Sequence, residues 1–132
     1  MIDGPRYAEA MTDPIEMIDS PGELTGMRCV ACRGGEPTLT DAEIAAYRDQ
    51  VPDWDVVEVD GIKRLRRVFR FPDFASALQF TDRVGALAEE QGHHPDIYLT
   101  WGKVRVEIFT HTVNGLTKSD FILAAKFEEA GK

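Results

Sequence analysis

Asp60-Gly61 stands between two runs that alternate in polarity, and this dipeptide limits the fold more than any other feature of the chain. Asp-Gly supplies the two positive-φ residues of a type I′ turn, so the flanking runs are expected to pair as an antiparallel hairpin. The first run covers residues 54–59 and the return run 62–71. In the return run Leu65, Phe69 and Phe71 fall on one side of a period-2 pattern, and Arg64, Arg66 and Arg70 on the other. A second hairpin is expected from 96–101 and 103–111, turning near Gly102. Val104, Val106 and Ile108 alternate there with Arg105, Glu107 and Phe109.

Three helical patterns surround the hairpins. Thr40-Asp41-Ala42-Glu43 is a capping box flanked by Leu39 and Ile44 in staple positions, and Pro52 stops the helix that follows. Asp73 caps a longer one. Phe74, Ala77, Leu78, Thr81, Val84, Gly85 and Ala88 recur on one of its faces, and Gly92 suits the left-handed residue beyond its end. Thr117-Lys118-Ser119-Asp120 opens a third helix that runs to about residue 130, stapled by Leu116 and Phe121. Helix, hairpin, helix, hairpin, helix implies an α+β fold in two layers: a four-stranded antiparallel sheet with three helices on one face.

Residues 1–38 carry five glycines and four prolines without periodicity, so a flexible or loosely docked N-terminal extension is expected ahead of a single domain at 39–132. Cys29 and Cys32 form a lone C-x-x-C. Two thiols fall short of a structural zinc site, and the glycines that follow do not suit a redox helix, so a local structural role or none is the first expectation. A net charge of −8 argues against direct nucleic-acid binding. No apolar run nears the ~20 residues of a membrane span. The first ten residues lack the basic and apolar regions of a secretory signal, which makes a cytoplasmic protein the simplest expectation.

Chemistry concentrates in few residues. Of three histidines, His93 and His94 are adjacent, just past a helix end and before Pro95, which favours an extended direction. Adjacent residues entering a strand aim their rings to opposite sides. The third, His111, ends the neighbouring strand, and hairpin pairing brings it back toward the pair. Glu89 lies one helical turn before His93, and Asp120 is close in chain to His111. Imidazoles with an ordinary pKa of ~6.5 can donate and accept protons near neutrality. Convergent histidines without a serine or thiol partner suggest acid/base rather than covalent chemistry. Three histidines and a carboxylate could also hold zinc. The same residues could be polar helix caps, and Asp120 fits the third position of a capping box in any case.

These residues carry a resemblance. Glu89, His93-His94-Pro95, Trp101, His111 and Asp120, spread over 32 positions, match the spacing of the pterin-4a-carbinolamine dehydratase family, known also as the dimerisation cofactor of a homeodomain transcription factor. A weaker likeness extends over residues 39–130. Many members have tryptophan where this chain has Ile97.

The resemblance implies dehydration of a 4a-hydroxytetrahydropterin to quinonoid dihydropterin and water, in tetrahydropterin recycling, with no metal and no cofactor. It implies His93 and His111 as acid and base. His94 would bind or orient the pterin, and Pro95, Tyr98 and Trp101 would line its pocket. Glu89 and Asp120 would orient histidines, Asp120 being expected beside His111. It implies a homodimer or homotetramer. The alternative is a non-catalytic protein-interaction or assembly-factor module on the same fold.

Overall fold

The computed structural model describes residues 23–29 and 37–132. Its regular elements are α1 (Asp41–Arg48), β1 (Asp55–Val59), β2 (Ile62–Arg70), α2 (Phe74–Gln91), β3 (Asp96–Thr100), β4 (Lys103–Ile108) and α3 (Lys118–Ala130), after a short 3-10 turn at Glu23–Gly26. The strands form one sheet in the order β1-β2-β4-β3, and every neighbouring pair is antiparallel. The architecture is therefore the α+β arrangement of three helices and a four-stranded antiparallel sheet that the sequence implies.

Local codes explain the boundaries. Asp60 and Gly61 have φ of 55° and 78°, as the turn between β1 and β2 requires. Thr40 Oγ1 accepts the Glu43 N–H, and the Glu43 carboxylate accepts the Thr40 N–H, which starts α1. The helix is shorter than its pattern suggests. The N–H groups of Gln50 and Val51 turn onto the Tyr47 and Arg48 carbonyls three residues back, tightening the chain ahead of Pro52. Asp73 Oδ1 accepts the Ser76 N–H at the head of α2. Gly92, with φ of 66°, ends α2 and lets the His93 N–H reach the Ala88 carbonyl. β4 stops at Ile108 rather than at His111, because Thr110 leaves the ladder to bridge Gly115 across a tight turn.

One face of the sheet supplies the core. Leu65, Phe69, Val104, Val106 and Ile108 are buried there with Phe80, Val84, Phe121 and Phe127 of the helices. Phe69 packs at 4.4 Å centroid separation on Phe80 and edge-on to Trp54. The indole N–H of Trp54 and the Arg67 guanidinium both donate to Glu128 of α3, which ties that helix to β1 and β2. On the opposite face Arg64, Arg66 and Arg105 converge on Glu107, which is nearly buried by them. That face is thus partly self-covered, where a fully solvated strand surface would follow from its arginines alone. Among the described residues no helix is long and apolar enough to cross a membrane.

Every residue of α3 from Ser119 to Phe127 is buried, on all sides of the helix. Residues 24–29 cover part of it. Leu24 and Cys29 join the core, and the Thr25 carbonyl accepts Lys126 Nζ at 2.6 Å. Of the segment 1–38, these residues pack against the domain; Cys32 lies outside the described residues.

Burial pulls the Lys126 ammonium below the ordinary lysine value of 10.5, opposed by Cys29 and Glu90 and reinforced by Arg28. In the unfolded chain Lys126 keeps its proton to higher pH. Folding therefore releases protons between the lowered native value and 10.5, and stability gains from this group as pH rises through that window. Below the window both states are charged and the full desolvation cost remains. Urea unfolding of the wild type and Lys126→Met should show the wild type gaining on the variant as pH rises toward 10.5; parallel pH curves would contradict the effect.

Candidate active site

The β3–β4 register places the histidines. It pairs Asp96 with Glu107 and Ile97 with Val106. The ladder ends at Asp96 and Glu107; continued three residues beyond it, the same register would set His93 opposite Thr110 and His94 opposite Phe109. Ile97 and Leu99 pack on the core, so odd-numbered positions here face the helices and even-numbered ones face outward. In β4 the parity is reversed, since Val104, Val106 and Ile108 face the helices. His93 and Thr110 accordingly turn inward and are both about 1% exposed, while His94 and His111 are exposed.

The inward pair meets Asp120, which is completely buried at the start of α3. His93 Nε2 lies 2.6 Å from Asp120 Oδ1. Asp120 Oδ2 accepts the Thr110 hydroxyl at 2.9 Å and the Thr117 N–H at 2.8 Å. Thr110 spends its single proton on the carboxylate, so the Thr117 hydroxyl donates to Thr110 Oγ1, 2.9 Å away. A carboxylate only accepts, so Nε2 of His93 carries hydrogen and a neutral ring holds its lone pair on Nδ1. Asp120 thus caps a helix and fixes an imidazole at once. Its imidazole is His93, 27 residues away, and not the nearer His111 expected from the sequence.

The outward pair is differently held. His94 Nε2 sits 2.6 Å from Glu89 Oε2, with the imidazole side chain 57% exposed. The His111 ring lies 4.2 Å from the Phe109 ring, and the Arg64 guanidinium covers Phe109 at 4.6 Å. Consecutive Cα atoms are ~3.8 Å apart. His94 therefore leaves the backbone one residue from His93, and His111 one residue from Thr110. Two exposed imidazoles hang from the two ends of one buried network.

The other residues singled out from the sequence divide. Pro95 continues the chain from His94 into β3. Tyr98 is exposed on the same outward face, two positions from Asp96, with Arg105 over its ring at 4.3 Å. Trp101 is not brought to the histidines. It lies at the β3–β4 turn, 68% exposed, roughly 20 Å of extended chain from His94. Its spacing fits a motif, but a full strand separates it from the pair. Ile97, where the resemblance expects an aromatic, faces the helices. Thr110 and Thr117 were not foreseen. The signal was available, since the residue opposite His93 in the extended hairpin had to be polar to be buried there. Among the described residues no group of three or more His, Cys, Asp and Glu side chains is arranged to hold a metal ion.

A buried carboxylate–imidazole pair behind two solvent-facing imidazoles is suited to moving protons on a ligand held at the outward face. Similarity to other proteins points the same way. The family model for pterin 4 alpha carbinolamine dehydratase matches residues 37–130. A protein of Syntrophotalea carbinolica, provisionally named pterin-4-alpha-carbinolamine dehydratase, is 52% identical over 103 residues, which span 78% of this chain and 92% of that protein. A Nitrosococcus oceani protein of the same provisional name is 49% identical over 107 residues, 81% of this chain and 95% of that one. A stretch of 107 residues within a 132-residue chain begins no later than residue 26, so this likeness includes Cys29. The crystal structure of a transcriptional coactivator/pterin dehydratase from Brucella melitensis matches with a TM-score of 0.67 at 30% identity, covering 73% of this chain and all of that one. Matched over most of its length by model, sequence and fold, the chain belongs to the pterin 4 alpha carbinolamine dehydratase family.

Proposed function

We propose that the protein is a carbon–oxygen lyase that dehydrates 4a-hydroxytetrahydropterins, regenerating quinonoid dihydropterin in tetrahydropterin recycling. The observation that carries this reading is the pairing of Glu89 with His94 and of His93 with Asp120 at the family's spacing. The reaction removes water and transfers no electrons to or from another molecule. The C4a–O bond breaks as an acid protonates the departing hydroxyl. The N5 lone pair forms the C4a=N5 bond, and a base takes the N5 proton.

A proton carrier must come within about 2.6–3.2 Å of the reacting atom. His94 and His111 are open to a ligand, whereas the His93 ring is buried and its Nε2 engaged. The proposal therefore gives proton transfer to His94 and His111 and positioning to His93. This departs from the role that the resemblance gives His93. Glu89 orients His94, Asp120 orients His93, and Pro95 and Tyr98 border the pterin. The Arg64–Phe109 stack supports His111.

The deciding assay supplies 4a-hydroxytetrahydropterin generated in situ to chelator-treated protein. Quinonoid product should form well above the spontaneous rate. No acceleration by the folded protein would remove the dehydratase reading and leave an interaction module, the other role under which the Brucella melitensis transcriptional coactivator/pterin dehydratase is named.

Self-association belongs to the same proposal. β1 and β3 are the edges of the sheet, and edges left open invite pairing. Phe74 and Leu78, one turn apart on α2, are exposed at 42% and 41%. Light scattering should give a multiple of the 14.8 kDa chain mass at micromolar concentration. A monomer alone would refute it.

A further inference from the structure

Residues 24–29 are fastened to the domain by hydrogen bonds and by an apolar anchor. Lys126 Nζ donates to the Thr25 carbonyl at 2.6 Å. The Cys29 N–H donates to Gln91 Oε1 at 3.0 Å, and the Cys29 thiol to the Ser119 carbonyl at 3.4 Å. Leu24, fully buried, anchors the start of the segment in the core. Ser119 and Lys126 stand two turns apart on α3, a rise of about 10 Å. Thr25 lies beside the later one and Cys29 beside the earlier, so the segment runs antiparallel to α3. Four residue steps, reaching at most about 14 Å, span that distance.

The place of the Cys29 contacts matters most. Gln91 is the last residue of α2, two before His93, and Ser119 directly precedes Asp120. Cys29 thus bridges the carboxyl end of α2 and the amino end of α3. The 2.6 Å bond between His93 and Asp120 crosses the same joint. A bond that short tolerates little change in the separation of the two helix ends. Cys29 and Ser119 are both buried, so that arm of the bridge lies inside the protein, while the Gln91 arm is partly buried.

We propose that residues 24–29 are a positioning strap for the His93–Asp120 pair, holding together the two helix ends from which that pair is built. The strap lies outside the stretch matched by the family model, which begins at residue 37. Its effect on turnover rests on the dehydratase reading; its effect on the pair does not. Displacement of about 1 Å at a site, caused from a distance, can cost up to ~100-fold in rate.

The test uses the full chain carrying Leu24→Asp, which strips the anchor without touching the site, with Leu24→Met as the conservative control. Two quantities are read: kcat against KM, and the low-field proton resonance of His93 Nε2–H expected from its short bond to a carboxylate. With helical circular dichroism retained, Leu24→Asp should lower kcat about tenfold with KM little changed. The low-field resonance should weaken or vanish, and Leu24→Met should preserve both. If Leu24→Asp does not fold, Lys126→Met, which removes the Thr25 fastening with an apolar chain of similar length, is read in the same two ways. A variant that lowers only the melting temperature, leaving kcat and the resonance as in the wild type, overturns the proposal. Should the wild type fail to dehydrate the pterin, the dehydratase reading falls, and the resonance alone decides whether the strap sets the pair.

Discussion

Replacing His111 with alanine should lower pterin-carbinolamine turnover about 100-fold or more while leaving the fold intact, the usual loss for a general acid or base. The residue has little structural work. It is exposed, it lies beyond the end of β4, and its ring rests against that of Phe109 at 4.2 Å. Losing an exposed side chain away from caps and cores typically changes stability by about 0.5 kcal/mol or less, and the lost ring contact adds at most about 1.5 kcal/mol. Phe109 keeps its cover from Arg64 on the other contact. Rate and stability should therefore separate cleanly. His94→Ala should behave as a second loss of the same kind, whereas exchange of a substrate-orienting residue would raise KM and spare kcat. If His111→Ala turns over at the wild-type rate, proton transfer does not pass through this histidine, and the interaction-module reading becomes the better one.

What could be read from the chain follows the range of each physical rule. Hairpin turns, capping boxes and the left-handed glycine are decided within four or five residues. Asp60-Gly61, Thr40 with Glu43, Asp73 and Gly92 all fold as their local chemistry dictates. Partners across the fold are a different matter. Asp120 was expected beside His111 because only eight residues separate them. Strand parity instead sends His93 and Thr110 inward together and turns His111 away. The parity was legible, but which carboxylate it would meet depended on how α3 docks. Trp101 shows the converse, since a matching spacing placed it in a motif while a strand's length kept it from the histidines. The segment around Leu24 was hidden by its glycine- and proline-rich surroundings. The clue lay elsewhere, in α3: Phe121-Ile122-Leu123-Ala124-Ala125-Lys126-Phe127 is apolar nearly all round. A helix of that kind needs a second cover opposite the sheet. Residues 24–29 provide part of it.

Asp120 is where fold and proposed chemistry are least separable, and two substitutions there should have distinct consequences. Asp120→Ala removes both carboxylate oxygens from a site with no solvent access. The Thr117 N–H, the Thr110 hydroxyl and His93 Nε2–H would each lose their acceptor. Buried donors left without partners cost about 1–3 kcal/mol apiece, so a loss of several kcal/mol is expected, a large part of the stability of a domain this size. Urea denaturation should show it directly as a lower midpoint. Asp120→Asn preserves the shape and can keep two of the three bonds. Its carbonyl oxygen can take the Thr117 N–H and the Thr110 hydroxyl, as Oδ2 does now. The amide nitrogen then faces His93 and offers a hydrogen where Nε2 already carries one. Relief requires the neutral ring to move its proton to Nδ1, reversing the nitrogen that His93 presents. The expected result is a modest fall in stability, a lost low-field Nε2–H resonance, and a rate reduced by about tenfold to 100-fold through a misdirected ring. If Asp120 served only to start α3, asparagine would cost a few tenths of a kcal/mol to about 1 kcal/mol and leave the rate alone. A folded Asp120→Asn protein with wild-type turnover and an unchanged resonance would show that the 2.6 Å bond to His93 sets nothing the reaction needs.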